Sequence, residues 1–480
     1  MSGRRLDSPA GRGIDRSIPL TFTFGGRTVA AFMGDTVASA LVAAGIDVVS
    51  SSPILGRPRG VFSAGVEEPN AFVSIVDTGV DPILPATMVK VVDHLTVEGV
   101  PGVGRLPDDD TGARHADHRH LHVETLVVGG GIAGLRAAQE AARHGDRVLL
   151  VDEHHWLGGT STTVDTVDGV PSPAWVDEVV EELSIAPDVT ILTEATATGV
   201  YDDGFVVVYQ RSQGLATLRH VRASRVVLAT GAHERPIALA DGDRPGVMLA
   251  SAAHTYADRF GVLAGERAVI FTTNHAGHAA AGALADAGMD IAAIVDVGPG
   301  GPATDAARSR GVDVRTGWAV TGTDGTARVS EVHLAGPGGA TDTIEADLLL
   351  VSGGWNPVTQ LWRGIGGGLR YDEQRSNFVP DGGAPPWLEI AGAAAGEVPT
   401  SVPFWFTPST DLSRHYVDLQ RDSTVADVLE AVGHDLRSTE HVKRATYIGT
   451  AIDQGRTSGV LTAAIVNQAW GAGPGAQGPT

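Results

Sequence analysis

Cysteine is missing from all 480 residues. Its absence excludes a disulfide framework, a thiol nucleophile, a zinc–thiolate site and any iron–sulfur cluster held by cysteine. Positive charge is scarce as well: 35 Lys and Arg stand against 57 Asp and Glu, a formal net charge of −22. Such a polyanion is repelled by phosphate backbones and anionic lipid, so no general nucleic-acid or membrane-surface binding is expected. Long apolar runs are lacking too. No stretch reaches the roughly 18 consecutive apolar residues of a membrane span, and none follows Arg4 and Arg5 to make a secretory signal. The expected compartment is the cytosol.

What is present is ample chain. At about 150 residues per domain the length allows about three domains, each with core enough to need no covalent staple. Residues 1–18, rich in Arg, Gly, Ser and Pro, read as a flexible tail. Thr21–Phe24, the Gly25-Gly26 turn and Thr28–Phe32 then form a β-hairpin signature, with Asp35 as a candidate N-cap for a helix burying Val37 and Leu41. This small β-rich module spans 19–105. A polar connector with Asp108–Gly112, His115, His118, His120 and His122 follows and reads as a solvated linker, with no metal site expected.

From Glu124 the pattern alternates strands with helices, and 120–410 reads as two interleaved dinucleotide-binding, Rossmann-like subdomains. Gly129-Gly-Gly131-Ile-Ala-Gly134 lies between a strand and a helix. In such a turn Gly129 permits the bend, Gly131 lets a pyrophosphate approach, and Gly134 lets helix and strand pack closely. The helix then offers unpaired N–H groups to the diphosphate. Asp152 and Glu153 close the next strand, where a carboxylate can accept both ribose hydroxyls and disfavours a 2′-phosphate. Glycines alone do not decide between NAD and FAD. However, Ala393 stands in Glu389-Ile-Ala-Gly392-Ala393, where flavoproteins usually place an aspartate, and it cannot bond a flavin. Tightly held NAD is therefore expected.

The second unit's turn reads Thr272-Thr-Asn274-His-Ala-Gly277 and lacks the first two glycines, so it is expected to persist for packing. His154-His155 lines the adenosine side or lies on loop surface. Helices are predicted through 411–470, before a tail at 471–480. Within that segment Lys443-Arg444, Thr446, Thr450 and Gln454 make a basic, hydroxyl-rich cluster. It suits a phosphate, or is a solvated helix face.

Four segments carry a resemblance. Arg57-Pro-Arg-Gly-Val-Phe62, Gly65-Val-Glu-Glu-Pro-Asn70, Ala229-Thr-Gly-Ala-His-Glu-Arg-Pro236 and Glu440-His-Val-Lys-Arg444 with Asp453-Gln-Gly455 resemble the α-subunit family of heterotetrameric sarcosine oxidases, in the family's order. The resemblance implies an α/β fold of the two-dinucleotide-binding-domain flavoprotein type. It adds an N-terminal ferredoxin-like β-grasp domain without cluster ligands, with Glu67 and Asn70 about where iron–sulfur relatives carry cysteines, and a C-terminal helical segment. It implies NAD on this chain without a hydride-transfer role, held by Ala133, Asp152, Glu153, His154, Thr160, Val200, Ala393, Val398 and Thr400. His154 stands where the family has a basic residue.

The resemblance further implies a flavin mononucleotide (FMN) shared with a partner and held by Lys443, Arg444, Thr450 and Gln454. A catalytic β subunit would carry FAD and the amine-oxidising site, with small subunits completing the hetero-oligomer. Electrons would pass from FAD to FMN and then to oxygen. An aminomethyltransferase-like folate domain is implied beyond Thr480, in a separate chain, cut away, or dispensed with. The alternatives are a self-sufficient FAD/NAD(P)H oxidoreductase and a catalytically silent assembly scaffold.

Overall fold

The computed structural model describes residues 4–76, 83–102, 116–160, 166–212 and 215–479. The Asp108–Gly112 and His115 part of the predicted connector lies outside them, as does the boundary at 105. The first module is a five-stranded mixed sheet ordered Arg27–Met33, Asp15–Phe24, Thr96–Gly99, Phe72–Ile75, Leu84–Pro85. Phe22 faces Val29 and Phe24 faces Arg27 in the opening hairpin. Period-two alternation sends Phe22, Phe24, Val29 and Ala31 inward. The helix Val37–Ala43 closes the core and is capped by Thr36, not Asp35: Thr36 Oγ1 accepts the Ser39 N–H at 3.1 Å, and Ser39 Oγ accepts the Thr36 N–H at 3.0 Å. Asp35 is buried instead beside Arg5 and Ser39.

The larger body holds two sheets. Val189–Leu192, Val148–Val151, Asp117–Val128 and Leu215–Leu228 are parallel neighbours, extended by the antiparallel Phe205–Ser212 and Ala195–Tyr201. The chain then leaves to build a second, all-parallel sheet, ordered Val247–Leu249, Leu348–Ser352, Arg267–Thr272, Asp290–Asp296, Val314–Thr316. It returns at Leu388–Ile390, which pairs parallel to Val226–Leu228. The second sheet is thus inserted into the first. Arg235 secures the crossing: its buried guanidinium donates to Gly353 O, Asn356 Oδ1 and Ser376 O and stacks on Trp405. The helices Val425–Gly433, Thr439–Thr446 and Gly459–Ala469 close the chain around their own apolar cluster. No helix among the described residues is long and apolar enough to cross a membrane.

Three stretches expected to be loose are held. Residues 4–18 are packed: Arg5 pairs with Asp35 at 2.8 Å, Arg4 with Asp47 at 2.7 Å, and the Leu6 N–H donates to Gly261 O at 2.7 Å. Their partners lie far along the sequence, which local composition cannot reveal. Residues 474–479 fold back, with Asn467 Nδ2 donating to Pro474 O and Gln477 O, and Arg363 to Pro479 O. His118, His120 and His122 belong to the strand Asp117–Val128, not to a linker. The rings of His118 and His120 stack on that of His220 across the strand pair, at 5.3 and 4.8 Å between centroids.

Module one, the inserted unit and the C-terminal segment share a buried charge network. Arg59, 1 % exposed, pairs with Asp243 through Nη1 and with Asp422 through Nη2. Arg57 reaches Asp243 at 2.6 Å and Asp241 at 2.9 Å, and Asp241 also takes Arg414 and Arg244. Asp422 Oδ2 further accepts the N–H groups of Ile54 and Leu55. Each buried ion costs several kcal/mol to desolvate, and only complete pairing recovers it. Arg59→Ala should therefore lose about 3–5 kcal/mol of stability. Arg57→Ala should lose clearly less, since Arg57 is 29 % exposed and Arg59 would still serve Asp243. Urea denaturation of both variants decides. A loss under about 1 kcal/mol at Arg59, the range of a surface pair, would show that the network does not join the three pieces.

Glu234, on the crossing segment, sits at the start of the helix Ala250–Phe260 and accepts the Ser251 N–H at 2.8 Å. Burial pushes its carboxyl up to about 7, against the Ser352 and Ser251 donors. The fold therefore favours the protonated acid. This contribution is complete below the ordinary value of 4.5 and is lost as pH rises through 7. The shift corresponds to about 3 kcal/mol. Burial raises Glu68 to about 7 as well, so a second step runs in the same direction. Burial raises Asp418 to about 6 too, so denaturation midpoints should fall between pH 5 and 8, and Glu234→Gln should remove about a third of that slope. An unchanged slope in the variant would refute the assignment.

Candidate functional site

The glycine turn is built by backbone contact. At Gly129, with φ of +104°, a Cβ would lie 2.2 Å from Ala229 O, and one at Gly134 would lie 1.8 Å from Gly129 O. Gly131 is the N-cap of the helix Ile132–Arg143 and has no side-chain cap, so the first-turn N–H groups face outward. Asp152 is buried against the turn: its Oδ2 accepts the Gly130 N–H at 2.6 Å and its Oδ1 the His154 N–H at 2.8 Å. Glu153 is half-buried beside it. Gly158 and Gly159 lie on the other side, with the Gly158 N–H donating to Gly130 O at 2.8 Å, and Thr160 follows them.

Ala133 meets the late loop, where a Cβ on Gly392 would fall 2.5 Å from its methyl. Ala393 lies in that same turn, Gly392–Ala395, and presents only a methyl group. The structure thus brings together Gly129, Gly131, Ala133, Gly134, Asp152, Glu153, His154, Thr160 and Ala393. Val200 is elsewhere in character: its side chain is buried in the apolar cluster of the first sheet with Val128 and Val151. Val398 and Thr400 lie on the strap from Ala393 to the second turn, where the Val402 N–H donates to Thr273 O at 3.0 Å.

The histidines after Asp152 have opposite electrostatics. Burial pulls His154 down, but the Asp152 hydrogen bond and the charges of Asp152, Glu153 and Glu67 outweigh it, and its pKa is raised. His155 is pushed down to about 3 by burial and by Lys90. Both rings pack on Trp156, so neither is free loop surface.

The second turn is filled by its own side chains. Asn274 Oδ1 accepts the Ala276 N–H at 3.0 Å, while its Nδ2 donates to Ser352 O at 3.0 Å. Thr273 Oγ1 bonds Ser401 Oγ at 2.7 Å. Asp296, which ends the next strand as Asp152 does in the first unit, is taken by His278 Nε2 at 2.9 Å and the Gly298 N–H at 2.8 Å. Gly277 alone keeps the packing role, since a Cβ there would meet Thr272 Oγ1 at 2.4 Å.

In module one, the loop 62–71 closes around a carboxylate. Glu68 accepts the N–H groups of Phe62, Ser63, Asn70 and Ala71 at 2.6–3.0 Å. Glu67 points instead toward His233, at 3.5 Å. Sequence reasoning singled out Glu67 and Asn70 and missed Glu68, whose neighbouring glutamate gave no signal of which one turns inward.

The basic cluster splits. Lys443 is half-buried, and its Cε lies 3.4 Å from where a Cβ on Gly449 would stand. Arg444 is 74 % exposed and pairs with Glu440 at 3.1 Å along the helix. Thr450 Oγ1 accepts from Arg421, and Gln454 Nε2 donates to Ala451 O. Thr446 Oγ1 donates to Val442 O and does not join the group. A small hollow is lined by Thr439, Lys443, Gly449, Gly455 and Gly459. Arg421, Gly449 and Gly459 were not foreseen, whereas Gly455 belongs to the Asp453-Gln-Gly455 segment that carried the resemblance. Asp418 and Asp453 hold the loop from beneath: Asp418 Oδ2 accepts the Gly449 N–H at 2.7 Å, and Asp453 accepts from Gly455 and Thr457.

Comparison with known proteins accords with this geometry. Residues 17–101 match the 2Fe-2S iron-sulfur cluster binding domain and residues 412–480 the sarcosine oxidase A3 domain. The donor set does not fit a cluster: the sequence holds no cysteine, and Glu68 takes the loop's N–H groups. The chain is 40% identical to sarcosine oxidase subunit alpha of Corynebacterium sp. (strain U-96), over 95% of this chain and 54% of that protein. It is 31% identical to sarcosine oxidase subunit alpha of Rhizobium meliloti (strain 1021), over 97% of this chain and 56% of that one. It thus spans about half the length of the curated relatives it matches. L-proline dehydrogenase from P. horikoshii superposes with a TM-score of 0.77 at 21% identity, covering 98% of both chains, a likeness of fold. Residues 123–381, which carry both turns and both sheets, match the pyridine nucleotide-disulphide oxidoreductase family over more than half of the chain, and the chain belongs to that family.

Proposed function

We propose that this chain is the α-type subunit of a heteromeric, flavin-dependent secondary-amine oxidoreductase. It holds NAD at the Gly129–Gly134 turn and, together with a partner subunit, the phosphate of FMN at the loop after Lys443. The observation that carries the reading is the contrast between the two turns. The first has Gly131 at its helix N-cap and no capping side chain; the second is capped by Asn274 and occupied by Thr273, which bonds Ser401. A self-sufficient reductase needs both turns and usually a redox-active cysteine pair, so this contrast favours a subunit with one dinucleotide.

The residues fit these groups. The helix Ile132–Arg143 directs its positive dipole end at a diphosphate, Asp152 can accept ribose hydroxyls with its remaining lone pairs, and the Ala393 methyl offers a flavin no hydrogen bond. At the second site Lys443 would neutralise a phosphate over Gly449 and Gly455, with Thr450 and Gln454 beside it. A flavin bound there supplies a two-electron acceptor. The chain's own contribution is to bind and orient: it concentrates positive charge locally in a protein of net charge −22. Oxidation of the amine falls to the partner, which carries FAD, with small subunits completing the assembly.

Denaturing the purified chain should release one NAD per chain, identified by mass spectrometry. FAD in its place, with no nicotinamide dinucleotide, would overturn the first assignment. The isolated chain should also fail to reduce a dye acceptor with NADH or secondary amines.

The flavin assignment is tested on the assembled complex by flavin stoichiometry. A hydrogen bond to a charged group is worth roughly 1.5–3 kcal/mol, and about 1.4 kcal/mol is tenfold in affinity. Lys443→Ala should therefore weaken FMN retention by about ten- to a hundredfold. Arg444→Ala should weaken it about tenfold or less, because Arg444 is exposed and shared with Glu440. Reduction of the partner's flavin by substrate should persist in both. Unchanged FMN content in the double variant would return the cluster to a solvated helix face.

A further inference from the structure

Tyr447 is the residue on which the basic helix Thr439–Thr446 ends, a position that usually falls to glycine or asparagine. Its φ is +60° and ψ +9°, the left-handed region in which a bulky side chain is strained. Its side chain is also 67 % exposed. The steric cost is therefore not offset by burying the ring within this chain, and strain kept without an internal return marks functional positions.

The surroundings say which function. Tyr447 follows Lys443 by one helical turn, and its carbonyl accepts both the Thr450 N–H at 3.2 Å and the Thr450 hydroxyl at 2.6 Å. Tyr447, Gly449, Gln454 and Gly455 all have positive φ, so four of the nine residues 447–455 are left-handed. The buried Asp418 and Asp453 pin this loop through the Gly449 and Gly455 N–H groups. Tyr447 thus opens the fixed loop that carries Gly449, Thr450 and Gln454, with its ring exposed. A flavin mononucleotide joins its phosphate to a planar tricyclic ring through a short ribityl chain, and planar aromatic systems favour offset stacking.

We propose that Tyr447 is the platform on which the isoalloxazine ring of the bound flavin stacks. The proposal rests on the reading of the Lys443 loop as a flavin-phosphate site, and it names the residue that would recognise the other end of the ligand.

The test uses the complex with its partner subunit, stripped of flavin and titrated separately with FMN and with riboflavin. Dissociation constants and flavin fluorescence quenching are recorded. Tyr447→Gly restores the residue this backbone prefers, so it should raise the thermal midpoint while weakening both ligands about tenfold and relieving the quenching. Tyr447→Phe, which keeps the ring, should bind both ligands as the parent does. Lys443→Ala should weaken FMN and spare riboflavin, which has no phosphate. Unchanged flavin affinity and quenching in Tyr447→Gly would overturn the proposal. So would loss of subunit association with flavin affinity intact, which would make Tyr447 a protein contact. If Lys443→Ala leaves FMN affinity unchanged, the phosphate reading itself fails, a result separable from the others.

Discussion

Arg59 sits where three distant pieces of chain share charge, and the packing of those pieces against one another depends on it. Its two nitrogens answer Asp243, just before the second sheet begins, and Asp422, on the segment leading into the C-terminal helices. Asp422 also takes two N–H groups of the loop at Ile54 and Leu55. A hydrophobic interface would tolerate sliding, but a buried guanidinium bridging two carboxylates tolerates little, since a shift would leave buried charge unpaired. Module one, the inserted unit and the basic loop are thereby fixed against one another. The glycine turn and the Lys443 loop lie on separate units, yet their relation is not left to a flexible linker.

The two βαβ units show how little sequence separates an open nucleotide turn from a closed one. Both keep the third glycine, which serves helix–strand packing, and both keep an aspartate after the second strand. They differ at the two glycines that admit a pyrophosphate. In the second unit Thr273 bonds Ser401 and Asn274 caps its own helix, while Asp296 is paired with His278 much as Asp152 is with His154. The loop around Glu68 follows the same logic. Four N–H groups converging on one point require an acceptor, and the carboxylate is one. In each place the backbone donors are met by side chains of the chain itself.

Legibility in the sequence followed the range of the interaction. The hairpin at Thr21–Phe32, the first glycine turn with its acid and the helical ends could be read because each is specified within about 30 residues. The missing glycines of the second turn were equally local, although the way Asn274 fills the gap was not. What failed was non-local. Arg4 and Arg5 looked like a solvated tail because Asp47 and Asp35 are remote, and His118–His122 looked like a connector because the partner strand begins about a hundred residues later. Val200, expected near the nucleotide, has its side chain in the core, because the register shift between Ala197 and Gly199 reverses the alternation begun at Ala195. Between adjacent residues the sequence carries almost no information on direction. Glu67 and Glu68 diverge, and so do Lys443 and Arg444, because the fold assigns one of each pair inward.

The excess of acid gives the basic loop its meaning. With 22 more acidic than basic residues, most guanidinium groups are drawn into ion pairs: Arg57, Arg59, Arg244 and Arg414 serve three aspartates, and Arg444 leans on Glu440. Lys443 is half-buried, with its Cε 3.4 Å from where a Cβ on Gly449 would stand. Two buried carboxylates, Asp418 and Asp453, lie beneath the same loop, and their mutual repulsion together with burial raises Asp418 to about 6. Such a pair is costly to hold unless something is gained above it. The N–H groups of Gly449 and Gly455 bind these acids from below, so the loop cannot relax by turning those donors outward. The same loop carries Thr450 and the exposed Tyr447, and Gly449 lies against Lys443. A loop held in this way keeps its shape without a ligand, and preorganisation of that kind lowers the entropic cost of any binding it undertakes.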